Sequence, residues 1–323
     1  MRAAYATTAS AEDPLRALEI GERPEPQERE GWATVTVRSA ALNHHDLWSL
    51  RGVGLPAERL PMILGCDAAG VDADGNEVIV HAVIGDPRWR GDETLDPRRT
   101  LLSELHQGTL AERVSVPAAN LVPKPASLSF DEAACLPTAW LTAYRLLFVR
   151  GRAQPGETVL VQGAAGGVAS AAIALGAACG LRVWATSRDE AKRAFALEQG
   201  AHESFETGAR LPDRVDLVVE TVGEATWSHS IRSLRPGGRI AIVGATSGAQ
   251  PPAELGHIFF RQLEVIGSTM GTRDELERLI ALLGATGLRP RVDRGYALAD
   301  AGDAFAALLG GELRGKLVIH PGE

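Results

Sequence analysis

The chain has 323 residues, 45% of them hydrophobic, enough to bury a sizeable core and more comfortable as two domains than as one. Its net charge of −8 comes from acidic and basic residues mixed along the chain, with no basic block or Lys/Arg stripe, which argues against nucleic acid as a partner. The three cysteines (Cys66, Cys135 and Cys179) lie far apart and form neither a CxxC pair nor an even-numbered framework, as suits a reducing compartment.

The first residues, MRAAYATTASAEDPLR, hold no charged stretch leading into an apolar one, and nowhere do 18 apolar residues run uninterrupted. The expectation is a soluble cytoplasmic protein with no membrane partner. To about residue 120, short β-like runs (WATVTVRSAAL, NEVIVHAVI, LAERVSVPA) alternate with Gly, Pro and Asp, which predicts a β-rich domain. Near residue 130 the texture changes: SFDEAACLPTAWLTAYRLLFVR opens on a Ser followed by Asp131 and Glu132 and continues at helical spacing. Apolar strands and helices then alternate, from ETVLVQG through GGVASAAIALGAACG, LRVWATS, RDEAKRAFALEQG, VDLVVET and ATWSHSIRSLR to GRIAIVG. That alternation predicts an α/β fold with a doubly wound parallel sheet. LEVIGSTMG, one amphipathic helix (DELERLIALLGATG) and a closing GKLVIH strand complete the chain and are expected to return to the first domain.

The strongest chemical signal is VLVQGAAGGVAS. Phosphates need bare N–H groups at the positive end of a helix, where a Cβ would block the approach. Gly163, Ala165, Gly166, Gly167 and Val168 form the bend expected to grip a dinucleotide pyrophosphate, although the spacing departs from GxGxxG. The alternative is an ordinary tight turn. At the end of the second strand a carboxylate would favour NAD. This chain has Thr186, Ser187 and Arg188 there, with Lys192 a turn further on, and a hydroxyl with cations fits a 2′-phosphate. The expected cofactor is therefore NADPH.

Taken together with AALNHHDLWSLRG, LPMILGCDAAGVDADGNEV, GTLAERVSVPAANLVPKP, LPTAWLTAY, RPGGRIAIVGATSG and GKLVIH, these residues resemble the medium-chain dehydrogenase/reductase superfamily, most of all its zinc-free quinone oxidoreductase and enoyl reductase branch. The resemblance implies a GroES-like substrate domain from both chain ends, residues 1–122 and 262–323, around a Rossmann NADP-binding domain at residues 123–261. It also implies a homodimer or homotetramer formed through the Rossmann sheet. Further cofactor contacts that it implies are His44, Thr142, Thr221, Gly244, Ala245, Thr246, Ser268, Thr269, Met270 and Lys316.

Zinc-dependent members carry a Cys, a His, and a Cys or carboxylate where this chain has Asn43, Cys66 and Thr138, and residues 82–112 hold none of the four cysteines of a structural zinc lobe. No metal is expected, with one alternative: Cys66, Asp67 and the neighbouring histidines assembling an unorthodox site. Without a Lewis acid, hydride goes most easily to an acceptor that spreads the incoming charge itself, a quinone or an α,β-unsaturated carbonyl. Asn43, at the place of the lost ligand, is expected to donate to the enolate-like oxygen, unless it is a turn-forming Asn. His45 matches the hydroxyl residue that relays protons in zinc members and is the expected general acid, unless it is a structural His. Two other readings stay open: a zinc-type alcohol dehydrogenase and a non-catalytic NADPH-binding sensor.

Overall fold

The alternating runs of the first 120 residues fold as antiparallel strands in a computed structural model that describes residues 1–322; Glu323 lies outside the described residues. Two compact units emerge: residues 1–139, 270–285 and 289–323 in one, residues 140–269 and 286–288 in the other. The sequence expectation set the changes at 122/123 and 261/262. The divisions differ because the helix Phe130–Ala134 packs on the strands Trp32–Ala41 and Asp67–Asp72 of the first unit. At the other junction, Glu264–Gly267 pairs with Leu234–Ile242 in the second unit's sheet.

In the first unit, Trp32–Ala41 shows why one strand can carry a site. Val35 and Val37 point inward and Thr34, Thr36 and Arg38 outward, the period-2 pattern of a half-buried strand. From Ser39 to Ala41 every residue is buried on both faces, and Ala41 pairs with Asp67 on one side and with Val318 on the other. The closing strand Lys316–His320 is thus stitched beside the first long strand, and the core includes Leu47, Leu50, Leu64, Leu110, Phe305 and Ile319. Met270 is buried in that same core on a left-handed backbone (φ 48°), so any cofactor contact it makes is through its backbone.

The second unit is a six-stranded, all-parallel sheet in the order Glu203–Phe205, Arg182–Thr186, Thr158–Gln162, Val215–Glu220, Leu234–Ile242, Glu264–Gly267. By chain position this is 3-2-1-4-5-6, the Rossmann order, whose direction reverses between the first and fourth strands and leaves a crevice at their carboxyl ends. Most buried residues of the helix Gly167–Ala178 are Ala, and it lies close on the sheet at Gly176, where a Cβ would meet Val183 Cγ2 at 2.9 Å. Among the described residues, no helix is long and apolar enough to cross a membrane.

Candidate active site

In the first unit the site is built where Trp32–Ala41 ends and the short helix His44–Leu50 begins. Asn43 caps that helix, and its backbone N–H donates to Asp46 Oδ2 at 2.8 Å. The other carboxylate oxygen, Oδ1, accepts the Gly65 N–H at 3.0 Å, so buried Asp46 ties the helix to the segment that carries Cys66 and Asp67.

Asn43, Asp67, Thr138 and Lys316 form one closed network. Asn43 Nδ2 donates to Asp67 Oδ2 at 2.8 Å and to the Ala41 carbonyl at 3.2 Å, and its Oδ1 accepts from Lys316 Nζ at 2.6 Å. Lys316 Nζ also donates to the Leu42 carbonyl at 2.6 Å and lies 3.6 Å from Asp67 Oδ2. Thr138, on a π-helical stretch Leu136–Trp140, donates its hydroxyl to Asp67 Oδ1 at 2.5 Å. π-Helical turns recur at functional sites because they re-aim a side chain. Burial raises the Asp67 carboxyl pKa, against the pull of Lys316, Asn43 and Thr138.

Two expectations are corrected here. Both amide N–H groups of Asn43 are spent on Asp67 and Ala41, so it has no donor left for a substrate oxygen. Lys316 is 4% exposed with its ammonium fully occupied inside the domain, so it does not reach for phosphates.

His45, one turn-position further on, faces two partners. Its Nε2 is 3.2 Å from Glu104 Oε1, and its Nδ1 is 3.7 Å from Cys66 Sγ. Burial alone would lower the imidazole pKa, but Cys66, Glu104 and Asp46 outweigh it and raise it well above 6.5. Burial pushes the Cys66 thiol up, against the pull of the neighbouring His45. His44 stands solvent-accessible beside it, and desolvation, with the Lys316 and Arg51 cations, holds its imidazole below the ordinary value. Glu104 is the residue the sequence reading missed; an acidic residue in a loop 59 positions from its partner carries no local signal.

The zinc of the wider family does not fit the three matching positions. The Asn43 amide and the Thr138 hydroxyl are engaged with Asp67, leaving Cys66 as one soft donor where a catalytic zinc needs three protein ligands. A different trio, His45, Asp46 and Cys66, brings one ligand atom each within 4.8 Å of one another. In that trio both Asp46 oxygens already accept backbone N–H groups, and only His45 Nδ1 and Cys66 Sγ face each other unblocked.

The bend expected to grip a phosphate lies in the second unit. Gly163 turns the chain out of Thr158–Gln162 on a left-handed backbone (φ 93°), and Gly166 caps a helix with no side-chain cap and no acidic residue in its first turn. The first N–H groups of a helix have no partner inside it, and a Cβ at Gly166 would meet nothing within 4 Å, so the approach is open. These residues fit a dinucleotide pyrophosphate. Ala165 and Val168 flank the opening, one buried and the other half-buried.

At the end of Arg182–Thr186 no carboxylate appears. Thr186 is buried and donates its hydroxyl to Gln162 Oε1 at 2.6 Å; Ser187 and exposed Arg188 come next in the chain, and Lys192 lies in the helix Glu190–Glu198 that follows. Arg193, not anticipated, fixes this corner by donating to the carbonyls of Ser187 at 2.8 Å and Arg188 at 3.1 Å. Thr221 donates to the Gln162 carbonyl at 2.9 Å, and Gly244 is needed because a Cβ there would meet the Thr221 carbonyl at 2.6 Å. Ala245 and Thr246 follow at the same carboxyl-end crevice, as do Ser268 and Thr269 past the sixth strand. Thr142 is buried in its helix.

Comparison with known proteins adds to this geometry. The model described as "Alcohol dehydrogenase GroES-like domain" matches residues 29–126, and that described as "Zinc-binding dehydrogenase" matches residues 167–285. An acryloyl-coenzyme A reductase of Sulfurisphaera tokodaii is 26% identical over 327 residues, covering 95% of this chain and 98% of that protein. A quinone oxidoreductase of Mus musculus is 27% identical over 318 residues, covering 92% and 90%. The crystal structure of an NAD-dependent alcohol dehydrogenase superposes with a TM-score of 0.91 at 33% identity, covering 99% of each chain.

Proposed function

The chain belongs to the medium-chain dehydrogenase/reductase superfamily, with a GroES-like and a Rossmann domain, and from that premise we propose that it is an NADPH-dependent reductase of quinones or α,β-unsaturated carbonyl compounds that works without a catalytic metal. The observation that carries the reading is the closed Asn43–Asp67–Thr138–Lys316 network, which occupies with internal hydrogen bonds the positions where a zinc-dependent relative holds its metal. An acceptor that delocalises charge by itself has no need of a Lewis acid. The relatives named for acryloyl-coenzyme A and quinone reduction support the same substrate class.

Bound NADPH would supply the hydride. The bare amides at Gly166 and Gly167 hold its pyrophosphate, and Ser187, Arg188 and Lys192 take the 2′-phosphate through charge-assisted hydrogen bonds. His45, kept protonated by its surroundings, delivers the proton that completes reduction. Self-association is assigned to the open edge of the parallel sheet, Glu264–Gly267, where Val265 and the nearby Leu255, Phe259 and Phe260 are exposed; light scattering on the purified protein tests it.

A second reading, a metal-dependent alcohol dehydrogenase, is favoured by the His45–Asp46–Cys66 trio and by the NAD-dependent neighbour. One experiment separates the two: spectrophotometric assay of quinones, enones, enoyl thioesters and alcohols with each pyridine nucleotide, with and without chelator, on protein of measured metal content. Chelator-insensitive oxidation of NADPH by an enone or quinone supports the first reading. Stoichiometric zinc with chelator-sensitive alcohol oxidation overturns it.

A further inference from the structure

The lobe that holds structural zinc in other members has a different product in this chain: it delivers a carboxylate to His45. Its polypeptide reverses at Ser103, a buried residue held in the left-handed region (φ 66°), with the Ser103 N–H on the His106 carbonyl at 2.9 Å and the Glu104 N–H on the Leu101 carbonyl at 3.3 Å. A non-glycine residue in that region costs about 1 kcal/mol or more and persists where its surroundings demand it, commonly at a functional site. The reversal fixes Glu104 from its own turn. Oε2 accepts the Leu101 N–H at 3.0 Å and the Thr100 hydroxyl at 3.2 Å, which leaves Oε1 aimed at His45 Nε2, 3.2 Å away.

We propose that Glu104 is the positioning residue of this site: its carboxylate accepts the Nε2–H of His45 and so presents Nδ1–H as the one proton that the ring offers inward, on the side of Cys66 and Thr138. The proposal rests on the reading of His45 as general acid and goes beyond it by naming what orients and charges the ring. The groups that face the imidazole are Glu104 from the lobe, Cys66 from the segment after Met62–Ile63, and Asp46 on its own helix; Lys316, the cation of this region, is committed to Asp67 and Asn43. When Nδ1–H passes to the reduced substrate, the ring becomes the neutral tautomer protonated at Nε2, still held by Glu104. Solvent water then returns one proton to the ring, the His45 side chain itself being 20% exposed. Glu104 itself neither gains nor loses a proton in the cycle.

The test compares Glu104→Gln, Glu104→Asp and His45→Asn in the full-length protein. The readouts are the histidine ring resonances, with that of His45 identified by its loss in His45→Asn, and the pH profile of kcat. Glu104→Gln should lower the apparent pKa of His45 by about one unit or more and move the alkaline limb of kcat by the same amount. The deficit should vanish at acid pH, where the ring is protonated regardless, and KM for the dinucleotide should be unchanged. Glu104→Asp, which retains the charge, should fall between. A purely structural role would lower kcat at every pH, and a melting curve on each variant checks the fold. If His45→Asn slows turnover while Glu104→Gln moves neither the resonance nor the alkaline limb, the proposal fails alone. If both variants turn over at the wild-type rate, the acid role of His45 falls and the proposal with it.

Discussion

Lys316 and Asp67 face each other across 3.6 Å, one 4% exposed and the other fully buried, joined through Asn43. A lysine and an aspartate are rarely buried unless paired, and the pair is tolerated because both ends are hydrogen-bonded as well.

Removing one partner should therefore cost far more than removing both. Lys316→Met leaves an unpaired buried carboxylate and is expected to destabilise the protein by about 3–5 kcal/mol, with Lys316→Met/Asp67→Asn recovering a large part of that loss. Urea denaturation reads both; a loss below about 1 kcal/mol for the single variant would show the pair to be of little consequence.

Proton delivery by His45 predicts a one-sided pH profile. The ring pKa is raised, so kcat should be level through pH 6.5 and fall as pH rises through the folded-state value. The same sign holds for folding: stabilisation from the charged ring is complete below the unfolded pKa of about 6.5 and is lost on passing upward through the folded one. His45→Asn should lower kcat about 100-fold or more with dinucleotide affinity retained, measured by steady-state rates beside calorimetry. An unaltered rate removes His45 from the mechanism.

Arg188 is assigned to the phosphate that distinguishes the two pyridine nucleotides. Arg188→Ala should weaken NADPH roughly 10-fold or more, the worth of one charge-assisted hydrogen bond, and leave NADH unchanged. Equal losses for the two nucleotides by calorimetry would refute the contact.

Gly166 separates binding from folding. Its backbone (φ −68°, ψ 159°) suits any residue, and an added Cβ meets nothing within 4 Å, so Gly166→Val should leave Tm nearly unchanged. The same methyl groups would stand over the bare amides and should weaken dinucleotide binding at least 10-fold. Full retention of binding would place the pyrophosphate elsewhere.

Much of this was legible in the sequence because it depends on local pattern. Buried parallel strands read as unbroken apolar runs such as VLV and VDLVV, and the bend from Gly163 to Val168 announces itself between a strand and a helix. The convergence of Asn43, Cys66 and Thr138 was also readable, from the order of the motifs that surround them. What these residues do there was not, since it is decided by partners from distant chain segments. Asn43 loses its free donors to Asp67 and to its own strand, and Lys316, a residue type that composition places at the surface, turns out to be interior. Glu104 and Arg193 escaped notice for the same reason: an isolated charge in a loop or on a helix face has no spacing to betray it.

The strand Lys316–His320 lies beside Trp32–Ala41, yet the ribosome makes it only after the whole of the second unit. The Rossmann half is almost one unbroken stretch of polypeptide and is free to fold as it emerges, while the half that begins first must hold its central sheet unfinished until the closing strand has been made. Until then Asp67 has no Lys316 to meet, so the buried pair of the first unit is completed only once the closing strand has been made.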